Sequence, residues 1–372
     1  MRTYRVVVIG GYGFFGRRLV ERLARQSGLH IVVAGRSSAN GQALAETLRG
    51  PAVARVDSAT LDVHAGDFVD RLRALAPDAV VHTSGPFQGQ QYLVAQACIA
   101  IGAHYIDLAD GREFVAGIGG LHAQASAAGL AVISGASSVP ALSSTVADHL
   151  AQGFARVQAI DIGISPGNRT DRGLSTVQAI LSYCGKPLPA ARAAAPIFGW
   201  SGSRRHTYPA PVGTRLLSPC DVPDLVLLPA RYAGNPIVRF GAGLELPLLH
   251  RGMNAMAMLA RLGIVADWSV HAGVLKRIAD LARSLGSDAG AMHVSMTGET
   301  AQGLTRTRTW HLVATAGDGP CVPTLAAAAL VRRLREGDAS LVGARPCVGL
   351  LDLQDFAREA EGLRIDMAEA EP

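Results

Sequence analysis

The chain has 372 residues, 49% of them hydrophobic and 17% charged. That composition excludes a largely disordered protein, and since a single core seldom grows past about 250–300 residues it points to two domains. The formal charge of +5 comes from scattered arginines without a Lys/Arg block, which speaks against a nucleic-acid partner while still favouring anionic ligands. The five cysteines, at 98, 184, 220, 321 and 347, lie far apart with no C-x-x-C. They support neither a disulfide framework nor a metal site, and they suit a reducing cytoplasm.

Residues 1–136 alternate apolar runs, at 5–9, 30–34, 53–56, 79–83, 104–108 and 130–134, with helical patterns. The runs are continuous rather than alternating, as expected of parallel strands buried on both faces. After the first run Phe15, Leu19, Val20 and Leu23 form an apolar stripe, with Arg17, Arg18, Glu21 and Arg25 opposite. Further helices are expected at 42–48, 67–75, 91–101 and 113–128. The fold class is α/β: a doubly wound parallel (Rossmann) sheet over residues 1–139. Arg2 and Arg5 precede a short strand with no small-residue cleavage site after it, so no signal peptide is expected.

At Pro140 the rhythm changes, and residues 140–320 read as a second, α+β domain. A helix is expected at 141–154, a strand at 158–164, a helix at 170–184, and then a Pro- and Gly-rich stretch to about 250. Within that stretch DLVLLP and IVRFGAGLEL look like strands. MNAMAMLARLGIVADWSVHAGVL is broken by Arg261 and Asp267 and is too short of apolar residues to span a membrane. A surface-seeking or oligomer-forming helix pair is expected there, and with it a homodimer paired through the second domain. Residues 291–316 read as an antiparallel hairpin. In 321–372 a final helix ending at Gly337 is expected to return to the first domain, followed by a frayed tail from Glu359.

GGYGFFG, residues 10–16, carries two overlapping glycine registers, one starting at Gly10 and one at Gly11. Both share Gly13 and Gly16, with a strand before and a helix after, which is the context a dinucleotide cradle needs. Gly13 lets the backbone approach a pyrophosphate, Gly16 lets the helix pack close to the sheet, and the helix N-terminus offers free N–H groups. Tyr12, Phe14 and Phe15 are bulky groups expected around the pyrophosphate, shielding it or packing under the helix. The second strand ends in Gly35, Arg36 and Ser37 where an NAD site would place a carboxylate. The missing acid makes room for a 2′-phosphate that Arg36 can clamp, so NADP(H) is expected. The alternative is an arginine stacked on adenine without phosphate preference. Asp57, read as the end of the third strand, is expected to bond the adenine amino group. Thr83, Ser84, Gly85 and Pro86 are expected on the nicotinamide side.

GGYGFFGRRL, VVAGRSS, VVHTSGPFQGQQYLVAQACIAIGAHYIDLADG and GASSVPALSS together resemble the saccharopine dehydrogenase-like NADP-binding family. The resemblance extends more weakly through WHLVATAGDGPCVP and GARPCVGLLDLQDF, which resemble uncharacterised bacterial members. It implies a Rossmann domain with an inserted α+β domain that carries substrate contacts and often pairs subunits, and it favours Gly10 as the exit turn. Family enzymes that form saccharopine join an aldehyde to an amino acid and reduce the imine. An NADP(H)-dependent oxidoreductase is therefore expected, acting on a small carboxylate-bearing substrate at a C=N or C=O bond. The alternatives are a non-catalytic NADP(H)-binding sensor or partner subunit, and a non-redox transferase of homospermidine-synthase type.

For the chemistry, Asp107 and Asp110 at the end of the fifth strand are candidates for acid/base or cation-pairing work, and Arg112 for clamping a carboxylate. Asp110 reads equally well as a helix cap, with Glu113 three residues on. In the second domain Arg169 and Arg172 near a helix start suit an anionic substrate, or a solvated cap turn. His206, with Tyr208 on an expected loop, is a candidate proton donor. His250 and His271 read as packing residues. GISPG matches a hydrolase elbow, but Pro166 has no N–H for an oxyanion hole, so Ser165 is set aside.

Overall fold

A computed structural model describes residues 3–50, 52–189 and 196–370; residues 190–195 of the Pro- and Gly-rich stretch lie outside it. The chain divides into two units, Met1–Leu142 with Cys321–Glu359, and Ser143–Pro320 with Ala360–Pro372.

The first unit is built on a seven-stranded parallel sheet. Its strands are β1 (Tyr4–Ile9), β2 (Leu29–Gly35), β3 (Arg55–Thr60), β4 (Ala79–His82), β5 (His104–Asp107), β6 (Ala131–Ser134) and an edge strand Gly343–Pro346. The spatial order is 343–346, β6, β5, β4, β1, β2, β3. The direction of winding reverses between β1 and β4, the position at which such sheets open a crevice beyond their carboxyl ends. The runs are continuous because both faces are covered. Val7 and Ile9 join one core with Val80, Tyr105 and Val132. Val6 and Val8, fully buried, face the other side, where α1 (Phe14–Leu23) packs against helix Val322–Arg335.

Helix α1 starts at Gly13 with no capping side chain. Burial of Leu19, Val20 and Leu23 contributes ~1.5–3 kcal/mol each, which outweighs the ~1 kcal/mol a cap would supply. The helix therefore survives with its first N–H groups uncommitted.

Several expectations shift. The third strand lies at 55–60 rather than 53–56. The helix expected over 113–128 is broken into Arg112–Gly117, a 3-10 turn Ile118–Leu121 and His122–Ala127. The tail is no frayed end. Helix Leu353–Ala360 is held by Arg332, whose guanidinium bonds Asp355 and Glu359 in a buried network. Strand Ile365–Glu369 then pairs antiparallel with Thr305–Ala314, tied by two bonds from Arg308 to Glu369 at 2.6 and 2.7 Å.

The second unit holds a mixed seven-stranded sheet in the order 204–208, 213–219, 237–242, 154–165, 290–300, 305–314, 365–369. Ile237–Ala242 runs parallel to Phe154–Ser165, which we label β7, and the other pairings are antiparallel. Alternation along β7 buries Ile160 and Ile162 on one face with Val294, Met296, Trp310 and Leu312. Asp161 and Gly163 point the other way. DLVLLP is a short helix, Asp224–Leu227, instead of a strand. The helix expected at 170–184 begins only at Leu174, with Gly173 as its N-cap. No helix among the described residues is long and apolar enough to cross a membrane.

Arg332 is 7% exposed and neutralises the buried Glu359 and the half-buried Asp355. Arg332→Ala should lower the stability of the first unit by about 3–5 kcal/mol, as removal of one partner from a buried ion network does. Urea unfolding monitored in the first unit checks this; a loss below about 1 kcal/mol would mean that the carboxylates are solvated.

Candidate functional site

The turn from β1 into α1 resolves the glycine registers. Gly10 has φ +78°, the left-handed region that a side chain disfavours. Its carbonyl accepts the Gly13 N–H at 2.8 Å, closing the turn. Gly11 keeps an ordinary φ, so Gly10 makes the exit. A side chain on Gly16 would fall on the Gly10 carbonyl and on Thr83 Oγ1, and one on Gly10 would fall on Ser84 Oγ. Thr83 in turn donates both N–H and hydroxyl to the Ile9 carbonyl at 2.9 Å. Strand end, glycine turn, helix start and the 83–84 segment therefore meet with no room for a Cβ. The first-turn N–H groups of α1, without intrahelical partners, open onto this point. This is the cradle a pyrophosphate requires.

The ribose end is organised by Tyr12. Its ring covers Gly35, where a Cβ would come within 2.6 Å of the phenol, and its hydroxyl accepts the Ser37 N–H at 2.8 Å. Tyr12 thus buttresses the end of β2. Phe14 and Phe15 meet edge to face at 4.9 Å, and Arg18 lies over Phe14 at 4.1 Å. Ser37 caps helix Ser38–Leu48 through the Asn40 N–H. Arg36 is exposed at the strand end. Asp57 requires a correction. Its strand continues to Thr60, so Asp57 sits mid-strand, accepting from His30 Nε2 and Arg55 Nε, both at 2.8 Å. It lies away from the carboxyl edge.

Along the same edge β4 and β5 end side by side in His82 and Asp107. His82 is buried, 3.4 Å from Tyr105 OH and 5.1 Å from the Phe87 ring. Burial, with His64 adding, pushes its imidazole down to about 4, so it is neutral. The fully buried Asp107 accepts from the Ala109 and Gly135 N–H groups at 2.9 and 2.8 Å and from Ser134 Oγ at 3.0 Å. Burial raises its carboxyl to about 6 despite those donors. Asp107 therefore fastens the 134–136 turn through its Oδ1. Asp110, half-buried, accepts from Gln88 Nε2 at 3.2 Å. The next helix is capped by Gly111 without a side-chain bond, so Asp110 is not its cap. Arg112 reaches Glu113 at 3.5 Å.

The remaining candidates lie in the second unit. Arg169 is exposed and held by its backbone to Ser287 and Arg283. Arg172 is half-buried, and its Nε and Nη2 are buried without a hydrogen-bond partner among the described residues. Burial lowers its guanidinium, with Asp280 opposing. Nearby, Glu245 accepts from the Asn168 and Ser287 N–H groups, from Ser287 Oγ and from Arg215 at 2.6–3.1 Å.

His206 is on a strand, Arg204–Tyr208, not on a loop. That hairpin folds over the main sheet and stacks His206 on His293, centroids 3.5 Å apart, with its Nε2 3.1 Å from that of His311. Burial and the two neighbouring histidines push His206 down to about 3, which removes it as a proton donor near neutral pH. Burial raises the Asp161 carboxyl, but the His293 ring nitrogen 3.7 Å away and the Arg204 guanidinium bonded to it outweigh that and keep it ionised. His293 and His311 were legible in principle: folding 290–314 about its turn sets them opposite one another. His250 is a buried hub. Its Nδ1 accepts the Leu244 N–H, so Nε2 carries the hydrogen toward Ser203 and Ser218 and cannot act as a base for either. His271 is exposed, at the edge of Trp268.

Residues 6–133 match the family described as the saccharopine dehydrogenase NADP binding domain. Saccharopine dehydrogenase (L-Glu forming) of Saccharomyces cerevisiae, in its apo form, is 14% identical, with 99% of this chain and 100% of that chain covered at a TM-score of 0.69. GenD2 from gentamicin A biosynthesis, in complex with NAD, is 15% identical, covering 82% of this chain and 72% of that one at a TM-score of 0.40. No curated protein sequence matches. The chain has the saccharopine dehydrogenase fold, and its first unit binds NADP(H).

A carboxyl raised by burial favours the folded state while protonated. That contribution is full below the ordinary value of 3.8 and is lost as pH rises through about 6. Asp107→Asn keeps an acceptor for the turn and does not ionise. Relative to this variant, the natural chain should lose roughly 3 kcal/mol of unfolding free energy between pH 4 and pH 7. Urea titrations across that range measure the difference; one that stays flat would show the carboxylate to be solvated.

Proposed function

We propose that this chain, whose residues 6–133 are a saccharopine dehydrogenase NADP-binding domain, is an oxidoreductase acting on a small carboxylate-bearing substrate at a C=N or C=O bond. The domain is that of an NADP-dependent oxidoreductase family. The observation that carries the cofactor side of the reading is Arg36, an exposed guanidinium at the end of β2 where no carboxylate competes for it. The Gly10–Gly13–Gly16 turn holds the pyrophosphate on backbone N–H groups, and Arg36 with Ser37 takes the 2′-phosphate. Thr83, Ser84, Gly85 and Pro86 border the nicotinamide end. Bound there, NADPH supplies the hydride.

On the substrate side Arg172 is the best carboxylate anchor, because two of its guanidinium nitrogens are buried and unsatisfied, a costly arrangement that an anion relieves. Asp110 and Arg112 remain substrate-facing candidates of the first unit. A protonated imine is already electrophilic, so placement of the reacting carbon outweighs the need for a strong acid. That suits a chain whose His82 and His206 are both held neutral. The five scattered cysteines suit a cytoplasmic setting, and we further propose that the protein works as a homodimer paired through the second unit.

Arg36→Ala should erase most of the preference for NADPH over NADH, by about 10- to 100-fold, the contribution of a charge-assisted bond to phosphate. Fluorescence titration of both nucleotides measures it, and an unchanged ratio would remove the clamp. NADPH absorbance followed against keto acids paired with amines tests turnover. Tight binding with no oxidation under any pairing would favour a sensor instead, and product formed without net nucleotide change would favour transfer chemistry.

A further inference from the structure

Exposed apolar side chains are concentrated in one place. Nine of the fourteen large ones among the described residues fall within 248–285: Leu248, Met258, Leu262, Ile264, Val270, Val274, Ile278, Leu281 and Leu285, each 54–84% exposed. The five from Val270 to Leu285 amount to roughly 600 Å², at the top of the ~300–600 Å² of the largest patch on a typical monomer. That is about three quarters of the ~800 Å² that each partner gives to a standard interface, the side chains flanking the seam supplying the rest.

Leu248 and Met258 lie on helix Pro247–Arg261, Val274, Ile278 and Leu281 on helix Ala272–Leu281, and the other four in the turns that flank these helices. A bond from Trp268 Nε1 to the Met256 carbonyl at 2.9 Å ties the linking loop back onto the first helix. The second helix is apolar on two sides. Ala272, Leu275 and Ala279 turn inward, where the helix packs on Leu174–Ser182. Val270, Val274, Ile278, Leu281 and Leu285 turn outward at spacings of 4, 4, 3 and 4, flanked by charge.

That outward stripe is narrow. It has the width of a helix-packing seam and lacks the broad apolar face, with aromatic anchors, of a helix lying in a lipid surface. Its flanks carry both signs: Arg277 and Asp280 are exposed, and Lys276 holds Asp280 at 2.7 Å.

We infer that the seam Val270–Leu285 packs against the same seam of a second copy of this chain, antiparallel about a two-fold axis through Ile278. This rests on the homodimer proposed above and names the surface that forms it. A two-fold through Ile278 sets Arg277 of one copy beside Asp280 of the other, so the seam is complementary to itself in charge, as an isologous interface must be.

The test is mass by light scattering over a range of concentrations of the full chain. The natural chain should run at twice its monomer mass. Ile278→Glu with Leu281→Glu should weaken the dimer by about 100-fold or more while NADPH binding, measured on the same sample, is unchanged and so reports an intact fold. Arg277→Asp should weaken it by a few-fold, as an exposed ion pair does, and Arg277→Asp with Asp280→Arg should restore it. Restoration requires both charges to come from this chain. A natural chain that is a dimer, with the double-glutamate variant equally dimeric, would overturn the seam and leave the homodimer standing. A natural chain that stays monomeric overturns both, and if it then pellets with anionic phospholipid vesicles the face belongs to a lipid surface.

Discussion

The first unit depends on one close approach. Gly16 of α1 lies against the carbonyl of Gly10 and the hydroxyl of Thr83, at a distance only a hydrogen on Cα allows. That contact brings the helix N-terminus to the point where the sheet reverses its winding, and it does so without a capping side chain. A cap would satisfy the first-turn N–H groups that a phosphate needs. Burial of Leu19, Val20 and Leu23 supplies the stability instead, so packing on one side of the helix keeps its N-terminus free on the other.

The parallel sheet was legible in the sequence because continuous apolar runs report burial on two faces, and the glycine fingerprint reports a phosphate cradle. What failed was local. Asp57 was read as a strand end because the apolar run stops at Val56. The strand goes on through Asp57, Ser58, Ala59 and Thr60, carried by its register with β2 rather than by its own hydrophobicity. Tyr12 is expected among the bulky groups around the pyrophosphate, and its place across Gly35 follows from a tertiary hydrogen bond that no spacing announces.

The second unit was less legible for a physical reason. Its polar sheet face is covered by a hairpin whose own sequence, SRRHTYP, is polar and reads as a loop. His206, His293 and His311 come from three strands, and only the pairing of the last two is set by a nearby turn. Charge in this unit is held by long-range partners such as Arg204 with Asp161 and Arg215 with Glu245. Sequence periodicity carries no information about such pairs.

The chain's route through its units has a consequence of its own. It leaves the first unit at Leu142, re-enters it at Cys321, and leaves again after Glu359 to give the second unit its last strand. Neither unit is therefore a contiguous stretch of gene. A fragment ending before 321 takes from the nucleotide-binding sheet its seventh strand and the helix beneath it. A cut at 360 leaves Thr305–Ala314 as an uncovered strand edge, the kind of edge that recruits other chains. The two units are stitched through each other and can be inherited, expressed or recombined only together.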